Sequence, residues 1–290
     1  MTKKLTIIIV TFNSEHIIRN CLSSFNVNNY EVVVVDNNSS DNATKIIAEE
    51  FSSVKILAQE KNLGFGRANN IALRQCQTPF ALILNPDVLI RDQDLENAIL
   101  QFENNPQIAL ASPKTLDSHN FDEAKTSSEI QITYQHFIVG GIMFINMDNL
   151  KKIGLFDKEF FMFAEDSDLC DRAINLGFQN AIFHNSFAIH LGGNFSKKTL
   201  KTIYRRFWHM GWSKSRYRRK RKNLFNFIRS SLRLFMQYFF EGIFYFFIGK
   251  IEKSIGKFAF CFGCFANLIG LKDFDKNDNP RGNLKLFSQI

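Results

Sequence analysis

Asp87 lies in the stretch ALILNPDVLI, residues 81–90, where four apolar residues run into Asn85, Pro86 and Asp87 before the chain turns apolar again. A buried strand has no use for proline, which lacks the ladder donor, or for an unpaired carboxylate. The strand therefore ends at Asn85, with Asp87 just past its C-terminal edge, the edge at which open α/β sheets bind ligands. Two further strand ends carry polar groups. Thr11, Phe12 and Asn13 follow TIIIV, and Asp36 closes VVVVD. Each alone reads equally well as a turn or cap. Three on one edge outline a cleft of the kind that takes a nucleotide. The stretch NLGFGRANN, 62–70, adds Gly64, Arg67 and Asn69 in a glycine loop that opens a helix, which is also how an ordinary helix entry reads.

A second group of acids stands in FFMFAEDSD, residues 160–168, with Glu165, Asp166 and Asp168 within four positions. Acids in a first helical turn favour the macrodipole, and that alone is sufficient reason for them. The apolar residues directly before them would also hold a carboxylate near a dry wall, where a base works. His190, in AIHLGG, reads as a core or capping histidine or as a neutral nitrogen for a metal. The Gly140–Gly141 pair in FIVGGIMFI lets backbone approach another group closely.

These residues must be positioned by strands and helices in alternation. Strands are expected at 6–10, 31–35, 54–58 and 80–84; their apolarity is continuous rather than alternating, as in sheets covered on both faces. Helices are expected at 16–25, burying Ile17, Ile18, Cys21, Leu22 and Phe25, at 41–51 after the capping sequence SSD, and at 65–75. That order predicts a doubly wound α/β sheet with right-handed crossovers. Residues 117–135 read as a polar surface loop. Residues 166–176 read as a helix with Leu169, Ala173 and Leu176 inward and Gly177 as its cap. A last strand closes at 188–190.

The 290 residues suffice for one large domain and an appendage, and 45% apolar with 22% charged residues is ordinary for a folded chain. Five scattered cysteines include one CxxC spacing, Cys261 and Cys264, with no second pair; reduced thiols are expected rather than zinc. The N-terminal run TIIIV is too short for a signal-peptide core and fits a strand. Charge is unevenly placed. The segment 197–222 holds twelve Lys or Arg and no acid, so the other residues sum to −4 against the chain's +8.

Taken in order, TIIIVTFNSE, VVVVDNNSSD, NLGFGRANN, ILNPDV, VGGIMFI, IGLFDKEFFMFAEDSDLCDRA and AIHLGGNFS resemble the family 2 glycosyltransferases of GT-A fold, and most of all their bacterial rhamnosyltransferase-like branch. The resemblance covers roughly the first 200 residues. It implies a Rossmann-like, mostly parallel sheet with helices on both faces and inverting transfer of a sugar from a nucleotide diphosphate donor to an acceptor hydroxyl. By this resemblance Thr11, Phe12 and Asn13 meet the nucleotide, Asp36 the base, and Gly64, Arg67 and Asn69 the base and ribose. Asn85 and Asp87 match the DxD motif; Asp87 and His190 would hold Mg2+ or Mn2+, and Asp166 would be the base. Gly140, Gly141 and Glu165 fall on the acceptor side. The sequence departs from the family at Asn85, which keeps an oxygen ligand but drops a charge. The branch points to dTDP-rhamnose, with UDP-hexoses next.

A GT-A domain over 1–196 and a mainly helical, basic and apolar region over 197–290 are therefore expected. In the latter, Tyr204, Trp208, Trp212 and Tyr217 stand among the cations, and 224–249 is strongly apolar but carries Arg229, Arg233 and Glu241. The 14 apolar residues at 258–271 are too few to span a bilayer, which takes about 20. The pattern favours an anionic membrane surface, ahead of packing or a homodimer contact, with nucleic acid last. The expected protein is a cytoplasmic enzyme, peripheral on the inner face of the cell membrane, acting on a saccharide or lipid-linked acceptor for surface polysaccharide. The alternative is a catalytically silent GT-A-like module that binds anionic surfaces or partner enzymes.

Overall fold

The computed structural model describes residues 2–116, 132–192 and 199–271. The chain packs as two compact units: residues Met1–Asp157 with Glu165–Phe195, and residues Lys158–Ala164 with Ser196–Ile290.

Among the described residues the first unit is built on nine strands: β1 (Leu5–Thr11), β2 (Glu31–Asp36), β3 (Lys55–Ala58), β4 (Phe80–Leu84), β5 (Val88–Ile90), β6 (Ile108–Leu116), β7 (Ile132–Tyr134), β8 (Ile142–Asn146) and β9 (Gln179–His190). Their order is β3-β2-β1-β4-β8-β6-β9-β5, with β7 also on β9. From β3 to β4 every pairing is parallel; beyond β4 the sheet is mixed, with only β6 and β9 parallel. The expected mostly parallel sheet thus describes one half. The apolar residues after Asp87 form β5, an additional strand that runs antiparallel to β9.

Among the described residues this unit has six α-helices: α1 (Ile18–Leu22), α2 (Ala43–Glu50), α3 (Phe65–Leu73), α4 (Asp92–Asn104), α5 (Met147–Ile153) and α6 (Glu165–Asn175). The sheet is covered on both faces. Ile7 and Ile9, Val32 and Val34, and Leu82 and Leu84 enter one core; Ile8, Val35, Ala81 and Ile83 enter another. This is why the strands are continuously apolar, since each side chain leaves water whichever way it points. Each such Ile or Val contributes about 1.5–3 kcal/mol by its burial.

Two expectations need correction here. Leu176 is exposed, because α6 ends at Asn175 and the chain turns at Gly177, whose φ is +83°. Of the expected loop at 117–135, residues 132–134 are β7, paired with β9; residues 117–131 lie outside the described residues.

The second unit contains α7 (Leu200–Arg221), α8 (Leu224–Phe247) and α9 (Ile251–Leu268). Its core gathers Phe160, Trp208, Trp212, Ala259 and Ala266. Gly211 and Gly263 let the α7 and α9 backbones touch: a Cβ on either would stand 2.1 Å from a carbonyl oxygen of the other helix. The aromatic residues among the cations are therefore packing residues. Trp208 and Trp212 are buried, and the Trp212 indole donates to the Leu271 carbonyl (2.9 Å). Several cations are engaged as well: Arg216 bonds Glu159, Lys214 lies over Phe260 and Lys220 over Phe160. Among the described residues no helix is long and apolar enough to cross a membrane.

Candidate active site

Register explains how distant motifs meet. Thr11 pairs with Asp36 at the ends of β1 and β2, and Ile9 pairs with Leu84, so Asn85 leaves the sheet at the same edge. β8 runs antiparallel to β4 with Ile142 opposite Leu84, which brings Gly141 onto Asn85. The Asn85 N–H donates to the Gly141 carbonyl (2.8 Å). β5 lies antiparallel to β9 with Val88 opposite His190, which brings Asp87 onto the end of β9. There the Leu191 N–H donates to the Asp87 carbonyl (2.9 Å), and His190 Nε2 lies 3.2 Å from Asp87 Oδ2. The bond to Asp87 holds the His190 imidazole above its ordinary pKa, against the lowering effect of burial.

Gly140 and Gly141 join the two ends of the site. The Gly140 N–H donates to Asp166 Oδ2 (3.1 Å), and a Cβ at Gly140 would stand 3.2 Å from the Asp166 Cβ and 3.3 Å from the Phe65 ring. A Cβ at Gly141 would stand 2.9 Å from Asn85 Nδ2. The glycine loop, the NPD turn and the acidic helix thus converge on two adjacent residues without side chains.

The three acids of α6 separate in role. Asp166 is half-buried, and its Oδ1 accepts from the Ser167 N–H (2.7 Å). Burial raises its pKa, more than the bonds from Gly140 and Ser167 lower it. Asp168 is buried and bonded to Arg172 Nε (2.9 Å), whose guanidinium also donates to the carbonyls of Ile153, Gly154 and Leu155. It is a brace that anchors the end of α5. Glu165 is buried too, with its side chain against Gly66 of the glycine loop.

At the β1 and β2 ends the geometry is more selective than the motif. Phe12 and Asn13 reach the surface, but Thr11 is fully buried and offers its carbonyl to the Asn37 N–H (2.9 Å). Both Asp36 oxygens accept from Ser39, from its hydroxyl and its N–H. The Ser39 hydroxyl oxygen in turn accepts from the Asn13 N–H, and Asn13 Oδ1 accepts from the Ser40 N–H (2.8 Å). Gly64, φ +82°, precedes α3, in which Arg67 is half-buried. Asn69 is fully buried and donates to the Phe65 carbonyl (3.0 Å), a bond that braces the helix.

Two residues that the motif reading passed over hold this arrangement. Asn37 donates to the Gly64 carbonyl (3.1 Å) and accepts from the Leu63 N–H (3.1 Å), which ties the glycine loop to the end of β2. Asn70 donates to the Phe156 carbonyl (2.8 Å) and accepts from the Phe156 N–H (3.0 Å). Asn70 stood in the glycine-loop motif itself, whereas the tie from Asn37 to Gly64 spans 27 positions and has no local signal; both are buried amides whose bonds are satisfied.

Asp87 and His190 supply one carboxylate oxygen and one imidazole nitrogen, with the Asn85 amide close by in sequence. Among the described residues no three His, Cys, Asp or Glu gather at metal-ligand spacing. Such a two-donor set fits a divalent cation that keeps most of its ligands from water and a substrate diphosphate. It does not fit a closed structural site.

Known proteins share this frame. The chain is 24% identical to the rhamnosyltransferase WbbL of Escherichia coli K12 over 254 residues, covering 76% of this chain and 94% of the relative. It is 26% identical over 203 residues to the low-salt glycan biosynthesis hexosyltransferase Agl10 of Haloferax volcanii, covering 61% of this chain and 65% of that one. Among solved structures, the mannosyltransferase of Pyrobaculum calidifontis in complex with GDP-Man and Mn2+ superposes with a TM-score of 0.56 at 19% identity, over 72% of this chain and 62% of its own. Staphylococcus aureus TarS 1-349 in complex with UDP superposes with a TM-score of 0.54 at 16% identity, over 95% of this chain and 94% of its own. These two share the GT-A fold. The sequence profile of Glycosyl transferase family 2 matches residues 6–168, more than half of the chain, and the chain is a glycosyltransferase belonging to that family.

Proposed function

We propose that the chain moves rhamnose from dTDP-rhamnose to a hydroxyl of a saccharide or lipid-linked acceptor in surface polysaccharide synthesis, by a single inverting displacement. The observation that carries the mechanism is Asp166. It is a half-buried carboxylate with a raised pKa, held by the Gly140 N–H one residue from the glycine that clamps the NPD turn. The choice of sugar rests on the likeness to a rhamnosyltransferase along most of the chain.

In the reaction the acceptor oxygen attacks the anomeric carbon from the face opposite the diphosphate. The C–O bond to the diphosphate breaks, the new glycosidic bond forms, and the acceptor proton passes to Asp166. Two backbone N–H donors, from Gly140 and Ser167, fix the carboxylate in place, and its raised pKa makes it a stronger base than an exposed aspartate. Mg2+ or Mn2+, held by Asp87 and His190, would neutralise the charge developing on the leaving diphosphate. Asn85, clamped by Gly141, fixes the turn that presents Asp87.

The test is a panel of dTDP-rhamnose, UDP-hexoses and GDP-mannose, each with Mg2+, with Mn2+ and with chelator. Thermal stabilisation and donor hydrolysis are both read. Stabilisation and slow hydrolysis are expected for dTDP-rhamnose with a cation. Preference for a UDP-hexose overturns the sugar, and hydrolysis of no donor overturns the enzyme reading in favour of a silent module.

A further inference from the structure

We propose that α8 and the turn that follows it lie in the headgroup boundary of an anionic lipid bilayer. The proposal is independent of the glycosyl-transfer reading. It rests on which faces of α8 the protein covers. Phe227, Ser231 and Gly242 turn inward. Beside them Phe225, Ile228, Leu232, Met236 and Phe246 fall at helical spacing and are all exposed, while Phe239 is partly covered by the Phe258 ring. The helix therefore has two apolar faces, and among the described residues only one is covered.

Two features identify the occupant. The first is the end of the helix, where Phe240, Phe244, Phe247 and Ile248 are exposed as well, Phe247 at 81%. A second copy of α8 would cover one seam and leave these rings in water, because a helix pair buries a single stripe. A fluid bilayer boundary moulds to the whole exposed side, the stripe and the end of the helix together. The second feature is charge. Lys222, Arg229, Arg233, Lys250 and Lys253 are exposed along and around the stripe. Of the two acids between 222 and 253, Glu241 is paired with Lys257, which leaves Glu252 as the exposed one. The stretch carries net +3 by sequence (five cations, two acids). An apolar stripe rimmed with cations is the pattern that settles at anionic interfaces. The 24 residues of α8 span about 36 Å, enough to lie along the surface, and no described helix is suited to cross it.

This placement differs from one led by the polybasic segment. It rests on the exposed apolar residues of α8, whose burial salt does not screen, so salt weakens the attachment only in part.

The test uses the full chain with Phe247→Trp, mixed with vesicles of phosphatidylglycerol and phosphatidylcholine brominated at shallow acyl positions. Both native tryptophans are buried, so the new indole reports the end of α8. Quenching is expected, together with vesicle binding that falls about tenfold, without vanishing, between low and high salt. Phe240→Asp with Phe247→Asp should lower binding about a hundredfold, with helix content and donor hydrolysis unchanged. An unquenched indole with protein in the supernatant overturns the proposal. So does equal binding by the double variant, and so does a lipid-free dimer that the double variant dissociates, which would assign the stripe to a second copy. If the double variant aggregates, the Phe247→Trp measurement decides alone.

Discussion

Asp166 and Asp168 stand two residues apart on α6, and their amide variants should fail in opposite ways. Asp166→Asn keeps the shape of the side chain and can accept from one of the two N–H groups, Gly140 or Ser167, but it cannot take a proton. The loss of a general base costs about 10²–10⁴ in rate, or about 3–5 kcal/mol on the barrier. Donor binding should stay near that of the parent. Asp168→Asn leaves the chemistry alone and strips the carboxylate from Arg172, in a pair whose acid is 1% exposed. Breaking a buried pair by removing one partner costs about 3–5 kcal/mol of stability. The assay measures single-turnover transfer and urea unfolding on both variants. A pH series adds a third readout. Asp166 works ionised, and burial raises its pKa, so the parent's rate should fall with decreasing pH from a point above the ordinary carboxylate value of about 3.9. Asp166→Asn should lack that limb. If Asp168→Asn retains full stability and loses transfer while Asp166→Asn stays active, the base has been misassigned and the reasoning from burial and bonding fails.

Asp87→Ala should abolish cation-dependent donor binding, and equal donor affinity in saturating Mg2+ would refute the cation assignment. Gly141→Ala puts a Cβ 2.9 Å from Asn85 Nδ2, displacing the turn that carries Asp87; catalytic turnover should fall while the urea midpoint moves little, and unchanged turnover would show that the clamp is not needed. Asn70→Ala leaves the buried Phe156 N–H and carbonyl without their partner, at about 1–3 kcal/mol for each group. Its signature should be a lower unfolding midpoint, and an unchanged midpoint would refute the brace.

The parallel half of the sheet was legible because its strands are short, β-branched and continuously apolar, and because proline with aspartate cannot continue a buried strand. The other half was not. β5 is three residues long, and its partner, β9, lies about a hundred positions away, a pairing that no local pattern reports. Asp87 and His190 could be placed together only by resemblance; the register supplies the cause. The residue pattern at 165–168 marked three acids, and only the resemblance singled out Asp166, because burial depends on Gly66 and Gly140, which meet α6 through tertiary folding. In the tail a packing face went unread. Tyr204, Trp208, Gly211, Trp212 and Ser215 fall at steps of three and four, a packing face that was present in the sequence, but the surrounding cations drew attention to surface binding instead.

The helical unit is discontinuous in sequence. Residues Lys158–Ala164 belong to it, although they sit between two stretches of the catalytic unit. Phe160 and Phe161 are buried, and Phe160 is packed with Trp208 and Trp212. The next residues, Phe163 and Ala164, take left-handed backbone at φ 70° and 64° and lead directly into the helix that carries Asp166. A truncation before residue 197 would therefore not remove an appendage cleanly. It would strip the neighbours from two phenylalanines a few positions ahead of the base, and a loss of activity would be mistaken for a loss of attachment. The same threading means that a C-terminal region exchanged for another would meet a foreign 158–164, and the two stretches would have to be replaced together.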